Sequence, residues 1–522
     1  MFMDLVFELQ IPHNATRTQR INAEKLAIRE STMGKFRQRK MHSLAPIGVG
    51  IQYGVHNADE DTALRAIVTR VFYHKTDQGG WERPFRPTKR DFVVRCSNAR
   101  RALLSHTHFV APLTPNKYIE AYSGRKRKMY EKALASLSID PLTEKDSYVS
   151  SFPKAEKLNI TRKPDPDPRI IQPRSPRYNL RLGVYTKACE HVIYGAIDKM
   201  WGGPTVMKGL NADLRGEAIS GIWHRYADPV AVGLDAHRFD QHVSKAALEF
   251  EHSIYLAMHG SDPFLKWLLK MQLRTKGFCR CVNSCIMYIV NGGRCSGDVN
   301  TSLGNICLMT CMMWSYREHY NLQCSLINDG DDCVVIMERS MLNDFMRNVV
   351  AWFAELGFVM KVETPVYKLE HIEFCQSHPV EVAPGVYRMV RDPRVVLDKD
   401  LIVLKPIQHK SDYDFYRRAI GLCGLSLAGD VPVFNQFYSA LVRGTVASNR
   451  VVELESGMQY LAMGMKQKFS EPTATARVSF CEAFGIPPDL QEALEGEYSR
   501  VTLQWSTPDC VLGFGNLIAG LT

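Results

Sequence analysis

The chain has 522 residues, 45% hydrophobic, 10% aromatic and 23% charged, a balance that excludes a disordered tail, a collagen and a disulfide-stapled mini-protein. Its 65 Lys and Arg against 55 Asp and Glu leave a formal net charge of +10, which suits a polyanionic partner without specifying one. At roughly 100–200 residues per domain the length accommodates several compact units or one large enzyme fold with subdomains.

The opening MFMDLVFELQIPH carries no basic region before its short apolar stretch. No apolar run in the chain approaches the roughly 18 residues of a membrane span, so work at a membrane would need something else to take the protein there. Residues 17–40 hold eight basic side chains (Arg17, Arg20, Lys25, Arg29, Lys35, Arg37, Arg39 and Lys40) against Glu24 and Glu30, which reads as a solvated basic helix or an RNA-contacting arm. A second basic cluster, Arg125, Lys126, Arg127 and Lys128, lies between Tyr122 and Tyr130, and cations interleaved with rings that stack on bases predict RNA contact.

Pro164, Pro166 and Pro168 then alternate in a stretch that excludes helix and predicts an extended strip. Arg162, Lys163, Arg169, Arg174, Arg177 and Arg181 on or beside this stiffened backbone could hold positive charge at fixed places beside a triphosphate; the alternative is a Pro-rich linker.

The apolar run PVAVGL at 229–234 predicts a buried strand with Asp235 at its end, followed by helical spacing of Ala247, Phe250, Ile254 and Met258. Gly292 to Gly297 form a glycine-rich loop leading into a helix predicted from about Val299 to His319. Residues 325–327, 328–332 and 333–337 then read as strand, tight turn and strand. Eight of the 14 cysteines fall between Cys279 and Cys333 amid apolar neighbours, the pattern of reduced intracellular thiols. Cys279, Cys281 and Cys285 lack a second ligand pair at zinc-finger spacing, so they read as buried free thiols. Beyond Val396 the pattern is mainly helical, without assignable chemistry.

Two acidic clusters, Asp235 with Asp240 and Asp331 with Asp332, carry the chemistry. If one ends a strand and the other tips a neighbouring hairpin, Asp235 and Asp331 converge, and crowded hard-oxygen ligands suit Mg²⁺ carrying substrate phosphates. The alternative for the second cluster is a solvent-facing Asp-Gly turn. Thr301 and Asn305 share a helical face by their spacing and could hydrogen-bond a ribose hydroxyl, with Asp240 orienting Asn305; helix capping is the plainer role for Ser296 or Asp298.

The ordered series DAHRFDQHVS, SGDVNTSLGN and NDGDDCVVI resembles motifs A, B and C of positive-strand RNA virus RNA-dependent RNA polymerases, most closely those of the tombusvirus family and the allied umbraviruses. YSGRKRKMY resembles motif G, PDPRIIQPRSPRYN motif F, GFVMKVETPV motif D and IEFCQSHPV motif E, and VMKGLN is similar to a segment before motif A. The resemblance spans about residues 110 to 380.

It implies an α+β right-hand fold: an N-terminal basic region over 1–115, fingers over 116–230, a palm over 231–378 with a fingers insertion near 258–292, and a mainly helical thumb over 379–522. Implied roles follow position by position. Asp235 and Asp331, assisted by Asp332, would bind two Mg²⁺ ions, with Mn²⁺ as a substitute. Asp240 and Asn305, with Ser296 or Thr301, would sense the 2′-hydroxyl. Arg169, with Lys163 and Arg174, would lie on the triphosphate. Lys361 would donate a proton to pyrophosphate, against the plain alternative of a surface lysine.

His237 and Asp329 depart from residues common in relatives, adding bulk near motif A and negative charge near the metals. Implied partners are a viral RNA template, the nascent RNA and ribonucleoside triphosphates. A membrane-anchoring auxiliary replication protein, with the present chain as an extension of it, would localise synthesis to membranes in the host cytoplasm, alongside host factors that the resemblance does not identify. No helicase P-loop or evident protease triad appears. The alternatives are a reverse transcriptase and an RNA-binding scaffold without catalysis.

Overall fold

The basic N-terminal stretch is not helical where it can be described. The computed structural model describes residues 24–31, 38–76, 78–447, 454, 457–505 and 510–513. Within these, Lys25–Glu30 and Lys40–Ser43 are strands. Arg17, Arg20, Lys35 and Arg37, part of the expected helix or arm, lie outside the described residues. The first strand pairs antiparallel with Ser284–Asn291, which pairs with Arg274–Arg280, whose far edge takes Val149–Ser150 in parallel. The second pairs with Ile402–Val403 and with Cys510–Leu512. The N-terminal region is thus stitched into two distant parts of the chain, because each strand offers backbone donors that only a partner strand can satisfy.

The sheet that carries the acidic clusters has the order Cys324–Asp329, Asp332–Glu338, Pro229–Ala236, Met360–Val362, all antiparallel. Its strands read as near-continuous apolar runs because both faces are covered. Alternate residues divide between two cores. Val230, Val232, Leu234, Cys333, Val335 and Met337 face a core shared with helices Lys89–Leu104, Lys245–Met258 and Thr301–His319. Ala231, Val334 and Ile336 face a second core with helix Ala212–Trp223 and the C-terminal part of the chain. Helix Thr301–His319 is buried on nearly every side from Leu303 to Met313, so it shows no single apolar stripe.

Beyond the hairpin Ser377–Ala383 and Val386–Arg391 the chain is mainly helical, as the pattern predicts, with helices Lys410–Ala428, Phe434–Val442, Ala474–Phe484 and Pro488–Arg500. The cysteines from Cys96 to Cys481 are free; Cys279 and Cys281 are buried as expected, whereas Cys285 is only part-buried. No helix among the described residues is long and apolar enough to cross a membrane.

Candidate active site

Strand Pro229–Ala236 lies inside its sheet, so Asp235 has a neighbour on each side: Asp332 opposite it on one strand and Lys361 opposite it on the other. Directly opposed residues of antiparallel strands project from the same face, which puts these three side chains together at the strand ends. Asp331 stands in the two-residue turn Gly330–Asp331, closed by the Asp329/Asp332 pair. Gly330 has φ 88 and Asp331 is not in the left-handed region, the pattern of a type II′ turn that favours glycine at its first position. Buried Asn328 holds the turn from inside: its Nδ2 donates to the carbonyls of Gly330 (2.8 Å) and Asp332 (3.2 Å), and its Oδ1 accepts from Gly330 N (3.1 Å). The segment of VMKGLN adds to the same edge, with Asn328 N donating to Thr205 O (2.8 Å) and Met207 N to Asn328 O (2.9 Å).

These carboxylates crowd one another. Burial, then the charge of Asp331, pushes Asp332 up to about 6; burial also raises Asp331, reinforced by Asp235 and Asp329 and opposed by the Arg169 guanidinium. Among the described residues no group of three or more His, Cys, Asp and Glu side chains is gathered closely enough to hold a metal ion. Asp235, Asp331 and Asp332 form an open array of hard oxygen donors, each exposed at the sheet end, that a divalent cation would have to draw together. The extra charge expected from Asp329 is not free: Arg215 Nη2 meets its Oδ2 at 2.5 Å, with both side chains largely buried. His237 donates its backbone N–H to Val359 O (2.9 Å), and its ring centroid lies 6.5 Å from that of His74.

Asp240 and Asn305 meet as the spacing argument anticipates, Asn305 Nδ2 donating to Asp240 Oδ1 at 2.9 Å. The other end of the amide is engaged too: its Oδ1 accepts from Arg294 Nε at 3.0 Å, and Arg294 forms a fully buried ion pair with Glu251. Glu251 also accepts from Asn300 Nδ2 (3.0 Å) and Tyr255 Oη (2.7 Å), so the amide orientation is set by a satisfied polar network. Burial pushes Asp240 up to about 6, with Asn305 opposing and Asp331 reinforcing the shift. Thr301 Oγ1 donates to the carbonyls of Cys295 (2.8 Å) and Asp298 (3.0 Å), closing the glycine-rich loop, and Ser296 Oγ donates to Ile170 O at 3.2 Å. The N-cap of the helix is Asn300, not Ser296 or Asp298.

The Pro-rich stretch forms no helix, as expected, but it bends at Pro164 and Asp165; beyond it, strand Ile170–Ile171 leads to Pro173, which docks on that loop. Pro173 bridges Gly297, where an added Cβ would lie 2.5 Å from Pro173 Cα, so only glycine permits the approach. Arg169 is half exposed and its charge reaches both Asp240 and Asp331. Lys163 is exposed in the turn before the prolines. Arg174 corrects the expected triphosphate contact. It is buried, with Nε on Asp298 Oδ1 at 2.5 Å, Nη1 on Ser147 O at 2.6 Å and Nη2 on Thr275 Oγ1 at 3.0 Å, so its donors are committed inside the fold.

The second basic cluster is also corrected in part. Arg125, Lys126, Arg127 and Lys128 begin helix Gly124–Ile139 and are exposed, but Tyr130 is buried and packs with Tyr118 and Tyr122, so the ring of Tyr130 is not available to bases. Lys126 lies over the Tyr122 ring and Arg127 pairs with Glu131 at 3.0 Å. Arg125 and Lys128 instead line an open cavity of about 550 Å³ with Lys132 and Arg177. Sequence reasoning missed Arg294, Glu251, Arg215 and Arg238. The signal for Arg238 is its place between Asp235 and Asp240, where it adopts φ 50, a left-handed conformation that costs a non-glycine residue roughly 1–2 kcal/mol.

The model of the viral RNA-dependent RNA polymerase family matches residues 27–506. The chain belongs to that family. It is 42% identical over 471 residues to the RNA-directed RNA polymerase of Tobacco necrosis virus (strain A), covering 90% of this chain and 65% of the relative. It is 40% identical over 481 residues to that of Carnation mottle virus, covering 91% and 62%, and 40% identical over 472 residues to that of Turnip crinkle virus, covering 89% and 60%. The chain thus spans less than two thirds of the length of these relatives.

Proposed function

We propose that the chain carries out template-directed RNA synthesis, adding ribonucleotides to an RNA strand for replication of a positive-strand plant virus genome. The observation that carries this reading is the meeting, at one sheet end, of Asp235, Asp331 and Asp332 with the Asp240–Asn305 pair and Arg169. In this reading the sheet that carries Asp235 is the palm, the sheet joining Lys25–Glu30 to Arg274–Arg280 belongs to the fingers, and the C-terminal helices are the thumb.

Asp235 and Asp331, with Asp332, would hold two Mg²⁺ ions, and the fit rests on donor chemistry: mutually repelling carboxylates at an exposed sheet end are relieved by a hard cation. Bound there, the ions would supply Lewis acidity to the attacking 3′-hydroxyl and the departing pyrophosphate. Arg169 would neutralise the triphosphate from the side facing Asp240 and Asp331, with Lys163 at the approach. Asp240, its carboxyl held by Asn305, would accept a hydrogen bond from the 2′-hydroxyl, which favours ribonucleotides over deoxyribonucleotides. Lys361, opposite Asp235, would donate the proton that the leaving pyrophosphate takes up. Arg125 and Lys128, with Lys132, offer positive charge to the template backbone.

This proposal assigns membrane attachment to an auxiliary replication protein or a fused upstream region, since no described helix fits a membrane span. The test is incorporation of labelled ribonucleotides on a short RNA template with Mg²⁺ or Mn²⁺, beside Asp331→Ala. Product that requires the template and disappears in the variant supports the assignment. Equal use of deoxynucleotides would favour a reverse transcriptase, and RNA binding without product, with or without a primer, a scaffold.

A further inference from the structure

The segment Asp165-Pro166-Asp167 is gripped from two directions. Arg65, on helix Glu60–Ile67, donates Nη1 to Asp165 Oδ1 at 2.7 Å and Nη2 to Asp167 Oδ1 at 3.0 Å. From the other side Arg238 donates Nη2 to the second oxygen of Asp167 at 2.5 Å and Nη1 to the carbonyls of Thr69 and Tyr73. Arg70 Nη2 adds a bond to the Asp167 carbonyl at 3.2 Å. The side chains of Arg65, Asp167 and Arg238 are 6, 14 and 7% exposed, so water screens these ion pairs little. Burial opposes the charge on Asp167, but Arg238, Arg65 and Arg70 outweigh it and hold the carboxyl below the usual range.

Two features make this more than packing. Asp167 is joined to Arg169 through Pro168 alone, whose ring fixes one backbone dihedral of the link. Holding Asp167 therefore restricts where the Arg169 guanidinium can go. Arg238, in turn, sits between Asp235 and Asp240 in the left-handed conformation, held by its guanidinium and by its carbonyl, which accepts from Gln241 N (2.9 Å) and meets His242 Nδ1 (3.2 Å). Released, its backbone would relax toward the favoured regions and re-aim Asp240.

We infer that the Asp167–Arg238 ion pair, clamped by Arg65 from the N-terminal region, is a positioning device that sets Arg169 against Asp240 and so governs nucleotide affinity and ribose selection together. The inference rests on the polymerase reading. It gives the region before the polymerase motifs a task inside the site: residues 59–73 carry Arg65 and the carbonyl acceptors of Thr69 and Tyr73. Neutralising Asp167 would leave Arg65, Arg70 and Arg238 repelling one another in a shielded place.

The test compares wild type, Asp167→Asn, Asp167→Glu and Arg65→Gln in the full chain. It measures KM and kcat for a ribonucleotide on a primed RNA template, the ratio of ribo- to deoxyribonucleotide use, RNA affinity, and amide hydrogen exchange. Asp167→Asn is expected to raise KM at least tenfold and lower the sugar preference at least tenfold, with RNA affinity unchanged. Asp167→Glu should recover most of both, and Arg65→Gln should shift both about threefold. Hydrogen exchange in Asp167→Asn should quicken at residues 239–243 as well as 165–171. Lower thermal stability with unchanged KM and sugar preference would reduce the pair to a structural role and overturn the inference. If wild type makes no RNA, the polymerase reading fails first. Exchange at 239–243 then decides the coupling by itself, and unchanged protection there would overturn it. Should Asp167→Asn fail to fold, Arg65→Gln decides, and no change in its KM or sugar preference counts against the inference.

Discussion

Replacing Asp240 with Asn tests the electrostatics of the site without requiring turnover. Burial raises the Asp240 carboxyl from 3.8 to about 6, so the folded chain binds a proton there more tightly than the unfolded chain does. Between these two values the native state holds the extra proton, and stability falls as pH rises. Above about pH 6 the penalty is complete. Two pKa units at about 1.4 kcal/mol each make it roughly 3 kcal/mol. Asn keeps the Oδ1 that accepts from Asn305, so little packing or hydrogen bonding is lost. Asp240→Asn is therefore expected to stabilise the metal-free protein by about 2–3 kcal/mol at pH 7.5 and by almost nothing near pH 4. Urea denaturation midpoints of both proteins in chelator, at pH 4, 5, 6 and 7.5, read the difference directly. The same variant should lose most of its preference for ribonucleotides. A difference that is independent of pH, or a less stable Asn variant at pH 7.5, would refute the assignment of a buried, charge-penalised carboxyl.

Arg174→Met strands the Asp298 carboxylate in the interior and should cost about 3–5 kcal/mol by urea denaturation, while Arg174→Met with Asp298→Leu recovers most of it. A loss under 1 kcal/mol for the single variant would return Arg174 to the triphosphate contact expected from sequence. Gly330→Ala forces a side chain into φ 88 and should cost about 1–2 kcal/mol and disturb the Asp331 turn, read as lower thermal stability together with lower RNA synthesis. Arg215→Met leaves Asp329 unpaired beside Asp332, and the added negative charge raises the neighbouring carboxyls. The acid limb of the pH–activity profile should then move to higher pH by up to about one unit, and an unmoved limb would show that Asp329 is not felt at the site.

The local elements around the site are written in the chain itself. The apolar run before Asp235, the Asn-Asp-Gly-Asp-Asp turn between two apolar stretches and the i,i+4 placement of Thr301 and Asn305 are short-range patterns, decided by backbone geometry within a few residues. The family match extends well beyond these segments, over residues 27–506. The sequence alone also suggested that Asp235 and Asp331 could converge if one ended a strand and the other tipped a neighbouring hairpin, and that Asp240 could orient Asn305, the contact that the fold contains.

What a charged or aromatic side chain does, by contrast, depends on what the fold brings to it from far along the chain. Arg174 reads as a free cation until Asp298, 124 positions away, takes it into the interior. Asp329 reads as surplus charge until Arg215 pairs with it, and Tyr130 as a stacking platform until Tyr118 and Tyr122 close over it. The N-terminal stretch illustrates the same limit for backbone. Its basic composition allows helix or arm, and only partner strands at 284–291 and 402–403 decide that parts of it extend. Composition and spacing determine which groups are present and how local segments bend; desolvation and pairing, set by tertiary contact, decide which of those groups remain free to act.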